Sequence, residues 1–260
     1  MSTVNAIARM IWDQVAQRID SGAAAILPVG AGAKEHGFHL PMNTDQIQAE
    51  WLSDRLADRF GAIIWPTVSY GAYPAFAAYA GSSSLTETTF EAVIREIAGG
   101  ILGFGCRKLL VVDTGISTIA PIARALSGFD RGAVLHLRIH DGPRYRHQAQ
   151  ALAEQPYGSH ADELETSIML ALAPDVVDMP RAEASPWSSR ASTGALTPSD
   201  PASDNYSRSG SFGDPTLATA AKGNMLLAAM LDDLAEAAAI FIAAAIEQQV
   251  LPFTAGRVVQ

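Results

Sequence analysis

Residues 28–45 read PVGAGAKEHGFHLPMNTD, and Lys34, Glu35, His36, His39 and Asp45 fall within twelve positions of this stretch. Imidazole nitrogen and carboxylate oxygen are the donors that suit Zn²⁺, Mn²⁺ and Fe²⁺. The glycines let a backbone turn tightly around such a set, and the prolines stiffen it. The chemistry to look for is therefore metal-assisted, with a bound ion acidifying water and polarising a carbonyl. Two positions have a plainer reading as well. Asp45 falls just inside a predicted helix N-terminus, where the helix dipole favours any carboxylate, and His39 equally suits a hydrogen-bonded core position.

A second cluster lies in GSHADELETSIML, residues 158–170. His160 precedes a predicted helix, and Asp162, Glu163 and Glu165 follow at its start. Carboxylates in a first helical turn are favoured electrostatically, which is a sufficient reason for Asp162 and Glu163. Glu165 stands where the helix begins to bury. Other chemistries lack their motifs. GAGAKEHG has neither the third glycine of a dinucleotide loop nor the order of a phosphate-binding loop, and no G-x-S-x-G is present. Cys106 lies in a helix-to-strand turn without a neighbouring histidine and reads as a structural thiol.

The elements that must position these residues alternate. Apolar runs at 23–31, 61–71, 108–115 and 133–140 read as strands. Helical spacing appears over 44–60, with Thr44 as N-cap, and over 84–105, 162–174 and 215–249, the last with Gly223 as its weak point. Such alternation predicts a mostly parallel sheet covered on both faces, with ligands at the carboxyl ends of its strands. Glu35 to Asp45, Asp113 to Ser117, and His140 with Asp141 all fall at such ends. The chain reads as one domain over 1–260. Its Ser-, Pro- and Gly-rich stretch at 181–214 is too long for an ordinary connection and reads as a linker or a functional flap.

Composition narrows the partners. A net charge of −9 and a pI near 5.1 argue against nucleic acid. One cysteine excludes an internal disulfide and fits a reducing cytoplasm. The N-terminus is charged throughout and lacks a signal-peptide core. The longest apolar run, AEAAAIFIAAAIEQQ, falls short of the roughly 20 residues a membrane span needs, so no membrane partner is expected.

Taken together and in order, LPVGAGAKEHGFHLPMNTD, SHADELETSIMLALAPDVVDM and YSRSGSFGDPTLATAAKG resemble the creatininase (creatinine amidohydrolase) family from about residue 20 to about 245. The resemblance implies a three-layer α/β/α sandwich, often hexameric. It also implies a divalent-metal centre that hydrolyses small cyclic or formyl amides. The family loop E-Q-H-G-x-H-L-P-x-x-T-D supplies ligands from its Glu, first His and Asp; His36 and Asp45 match, whereas Lys34 stands at the Glu. The family's later His and Glu ligand positions fall on Gly115 and Ser117. His160, matching a histidine implicated in proton transfer, and Glu165 are both retained.

The expected site is thus a rearranged single-metal centre of Glu35, His36 and Asp45, completed by His160 or Asp162. His160, Lys34 and Glu165 are expected to be catalytic, Lys34 as a cation at an oxyanion or a substrate carboxylate. One Zn, Mn or Fe per chain fits better than two. Ser82 to Ser84 stand where the family has a substrate-side loop. Two rival readings remain at this point: a scaffold without catalysis, and a metal-free acid–base enzyme using Lys34, Glu35 and His36.

Overall fold

A computed structural model describes residues 4–185 and 194–244. Four parallel strands form its sheet: β1 (Ala25–Val29), β2 (Ile63–Ile64), β3 (Leu109–Asp113) and β4 (Val134–Arg138), in the order β2-β1-β3-β4. Val29 pairs with Asp113 and Asp113 with Arg138, so the carboxyl ends of β1, β3 and β4 share one rim. All residues of β1 and β3 are buried. Such continuously apolar strands belong in a parallel sheet covered on both faces.

The covering helices are α1 (Trp12–Asp20), α2 (Thr44–Phe60), α3 (Glu87–Gly103), α4 (Ile119–Leu126), α5 (Pro143–Leu152), α6 (Glu163–Leu172) and α7 (Ala220–Ala243). Alternation along each strand divides them into two layers. Ile26, Leu110, Val112 and Leu137 meet Leu52 and Leu56 of α2, Tyr145 of α5, Ile168 of α6 and Met230 of α7. On the opposite face Ala25, Leu27, Leu109 and Val111 meet Ile19 of α1, Phe90 and Ile94 of α3, and Ile122 of α4. The result is the expected α/β/α sandwich. No helix among the described residues is long and apolar enough to cross a membrane.

Several boundaries move, each for a local reason. β2 covers two residues rather than 61–71, because Pro66 has no N–H to add to the ladder. The chain nevertheless stays alongside β1: Trp65 N–H donates to Ile26 O and Val68 N–H to Pro28 O. Asn43, not Thr44, occupies the N-cap of α2, and the Thr44 hydroxyl donates to Pro41 O. α7 begins at Ala220 behind a Thr219 cap, because Pro215–Leu217 form a separate 3₁₀ turn. Residues 245–249, expected to belong to this helix, lie outside the described residues, as do 186–193 of the expected flap.

Gly223 is not a weak point of α7. It is the place where α7 touches the backbone of α6: a methyl group there would overlap the Ser167 carbonyl and crowd Ala171. Gly223→Ala is expected to destabilise the protein by about 1–3 kcal/mol, as overpacking does. That outweighs the roughly 1 kcal/mol by which alanine is the better helix former. A thermal melt checks it, and a midpoint at or above wild type would contradict this packing.

Candidate metal centre

The first cluster hangs from the carboxyl end of β1. Gly30 lies against the Asp45 backbone, where a side chain would overlap the Asp45 carbonyl, and Gln46 N–H donates to Ala31 O. The loop from 30 to 43 thereby closes onto the start of α2, and Asp45 in the first turn of α2 is buried. Gly37 has φ +74°, a left-handed conformation that glycine adopts without strain. That turn lets the Gly37 N–H reach the Glu35 carboxylate at 2.5 Å. Ser82 accepts from the Glu35 N–H at 2.9 Å, so the Ser82–Ser84 turn braces this loop.

The hydrogen bonds fix which imidazole nitrogens are free. His36 Nδ1 lies 2.9 Å from Lys34 O. A carbonyl can only accept, so Nδ1 carries the proton in the neutral ring and Nε2 keeps its lone pair. His36 is fully buried and its Nε2 has no hydrogen-bond partner. His160 Nε2 likewise donates to Glu35 O at 2.9 Å, with Glu35 Oε2 at 3.3 Å, which leaves Nδ1 free. The free nitrogens face one carboxylate: His36 Nε2 lies 3.9 Å from Glu165 Oε1, and His160 Nδ1 lies 3.9 Å from Glu165 Oε2. Ligand atoms of His36, His160 and Glu165 all lie within 4.8 Å of one another. Two imidazoles and a carboxylate whose atoms converge, one nitrogen being buried without a hydrogen-bond partner, fit a divalent ion.

α6 delivers the carboxylate. Asp162 caps it, its Oδ1 accepting from Leu164 N–H and Glu165 N–H at 3.0 Å and its Oδ2 from Gln155 at 2.7 Å. Both Asp162 oxygens are thus engaged away from the imidazoles, and of the two completions expected, His160 or Asp162, the geometry brings His160 to the cluster together with Glu165. Glu35 is also turned aside, onto Gly37 and His160. It orients an imidazole, as an outer carboxylate does in metal sites. Ala161, fully buried with φ +44°, turns the chain between His160 and α6, and its N–H donates to Glu165 Oε2 at 2.7 Å.

Lys34 is buried and its Nζ lies 2.7 Å from Asp45 Oδ2, while Asp45 Oδ1 faces His36 Nε2 at 3.3 Å. Burial opposes the Lys34 charge, but Asp45, Glu165 and Glu35 outweigh it and raise its pKa above the ordinary lysine value. Burial would likewise raise the Asp45 pKa; Lys34 and His36 instead hold it far below the usual carboxylate range. Glu165 is lowered by His36 and His160 against the opposing effect of burial. Lys34 and Asp45 line a cavity at the sheet rim with Tyr73, Gly115, Ser117 and Thr118. The Lys34 Nζ also lies 5.0 Å from the centre of the Phe76 ring, which packs on His160.

Other candidates serve the scaffold. His39 Nε2 bonds the Thr166 hydroxyl at 2.8 Å, and burial pushes its pKa down to about 4, so it is a neutral brace between loop and α6. Asp113 engages His136, Thr118 and the Gly115 N–H. His140 meets the Tyr145 ring edge-on, and Asp141 pairs with Arg138. Burial raises the Cys106 thiol to about 11, in keeping with a structural role.

Sequence reasoning read residues 207–212 as part of a linker or functional flap and of a family-like motif, but did not assign their contact with Glu35 and His160. Phe212 and His160 pair in an antiparallel bridge, Tyr79 OH donates to Ser207 O at 2.6 Å, and Gly210, with φ +94°, lies on the Glu35 carboxylate where any side chain would overlap it. The glycines and serines of RSGSFG were the visible signal. This part of the flap packs against the Glu35–His160 pair.

Comparison with known proteins shows what the whole chain resembles. A family model described as creatinine amidohydrolase matches residues 8–238. The creatinine amidohydrolase of Pseudomonas putida is 27% identical over 194 residues, covering 67% of this chain and 74% of its own. The mycofactocin precursor peptide peptidase of Mycobacterium ulcerans (strain Agy99) is 27% identical over 227 residues, covering 80% and 81%. A solved structure described as creatininase with Mn superposes with a TM-score of 0.80 at 23% identity, covering 92% of this chain and 99% of the other.

Proposed function

Because the chain belongs to the creatininase family, we propose that it is a divalent-metal amidohydrolase that cleaves the C–N bond of a small cyclic or formyl amide. The observation that carries the metal is the buried, unpartnered His36 Nε2 facing Glu165, with the free His160 Nδ1 on the same carboxylate. His36, His160 and Glu165 would hold the ion, with Asp45 Oδ1 beside it. When bound, a divalent ion polarises the amide carbonyl and acidifies water.

The chain's own groups do the rest. Glu35 keeps the proton of His160 on Nε2 and so keeps Nδ1 available. In this arrangement the imidazole expected to carry a proton serves as a ligand. Lys34, on the cavity wall, directs a fixed positive charge toward the place where a carbonyl oxygen gains negative charge. Asp45 stays anionic and holds that ammonium in place. Phe76 covers Lys34 and His160 and limits water around both. Zn, Mn and Fe all suit a mixed nitrogen and oxygen donor set. Assembly into a homo-oligomer, a hexamer by resemblance, belongs to the same proposal and is read by light scattering.

The test is hydrolysis of creatinine, formyl amides and short peptides before and after chelation. Turnover of a small amide that is lost with chelator and restored by Zn²⁺ or Mn²⁺ is expected. Turnover unchanged by chelation would replace this reading with the metal-free one based on Lys34, Glu35 and His36. Exclusive cleavage of peptides would move the substrate class toward that of the mycobacterial relative.

A further inference from the structure

We propose that the Lys34 ammonium acts as the second cation of the centre, a tethered charge that keeps a second divalent ion off the cavity side of Asp45. The inference rests on the metal reading above and explains why that centre takes one ion. Asp45 has two faces. Oδ1 looks toward His36, where the ligand atoms converge, and Oδ2 looks toward the cavity, where Lys34 Nζ occupies it at 2.7 Å. Beyond Oδ2 the cavity wall offers no free ligand. Its other carboxylate, Asp113, gives Oδ1 to the Thr118 hydroxyl at 2.7 Å and to the Gly115 N–H, and Oδ2 to His136 at 2.8 Å. Gly115 has no side chain, and Ser117 presents only a hydroxyl.

Electrostatics points the same way. The ammonium lies against Asp45, and Glu165 and Glu35 are the other carboxylates that act on it. A second divalent ion beside Oδ2 would be brought up against this fixed positive charge in a buried site, which is costly. The ammonium also differs from an ion in what it offers a substrate. It is a hydrogen-bond donor with N–H groups to spare beyond Asp45, so the cavity presents a donor for a substrate oxygen rather than an exchangeable coordination position.

Ion counting tests this without a substrate. Wild-type protein is titrated with Mn²⁺ and separately with Zn²⁺, and bound metal is measured by plasma mass spectrometry after removal of free ion. It is expected to saturate at about one ion per chain, the complement of a single site with about three protein ligands. Lys34→Glu combined with Ser117→Glu removes the ammonium and supplies two carboxylates beside Asp45 Oδ2; this variant is expected to bind two. Lys34→Met, which removes the charge and adds no ligand, is expected to bind one. Circular dichroism confirms that each variant is folded. A second stoichiometric ion in the wild type overturns the proposal on its own, whether or not the variants fold. A folded double variant that stops at one ion overturns it too. Wild type that binds no ion overturns the metal reading itself, and this proposal with it.

Discussion

His36→Ala is expected to abolish stoichiometric metal binding. In the proposed centre the substitution removes the one nitrogen that is both fully buried and unpartnered, and leaves His160 and Glu165 as a two-point site. Loss of a supporting partner around a metal typically weakens binding by about 10–100-fold, and loss of a ligand exceeds that. The readout separates binding from folding. An ion that binds only the native state adds about 4 kcal/mol at a free concentration a thousand times its Kd, so wild-type protein should melt roughly 10 °C higher with metal than with chelator. The variant should show no such difference. Its apo form will also melt somewhat lower than wild type, because Lys34 O loses the Nδ1 hydrogen bond at 2.9 Å. The metal-dependent shift is therefore the quantity to compare. A variant that retains the full shift would remove His36 from the centre.

Lys222→Met is expected to cause a large loss of stability at a position away from the centre. Glu163, fully buried in the first turn of α6, accepts from the Glu154 and Gln155 N–H groups and from Lys222 Nζ. Lys222 on α7 is its charge partner, with a side chain only 12% exposed. Removing one member of a buried pair leaves an uncompensated charge, which costs about 3–5 kcal/mol. The two backbone donors remain, so the lower end applies, and the melting midpoint should fall by about 6–12 °C. Lys222→Met/Glu163→Gln should recover much of the loss, because it removes the stranded charge. If the single variant melts within a degree or two of wild type, the pair does not hold α6 to α7.

The sheet was legible in the sequence because its central strands, β1 and β3, are short apolar runs bounded by glycines and buried throughout, whereas β4 is only half-buried. What escaped notice depends on partners distant in the chain. α5 buries only Tyr145 along its length, and its first N–H groups are capped by Asp233, which lies on α7. Local periodicity carries no trace of such a cap. The centre divides in the same way. Residue type and spacing brought out His36, Asp45, His160 and Glu165, yet they could not show that Asp162 faces its own helix, or that Glu35 bends back onto Gly37. Those orientations follow from one N-cap and one left-handed glycine. The Gly210 contact with Glu35 needed a chain reversal some 175 residues downstream.

The bare backbone contact at Gly223 has a reach beyond packing. Most helix pairs meet through a layer of side chains that can repack around a change. Here α7 lies directly on the Ser167 carbonyl, two residues from Glu165, with nothing between to absorb a displacement. Any shift of α7 is passed on as a rigid translation of the carboxylate, and a misplacement of about 1 Å at a reacting centre can cost 100-fold in rate. Substitutions along the buried face of α7 should therefore register as defects of chemistry as well as of folding, in residues that come nowhere near a substrate.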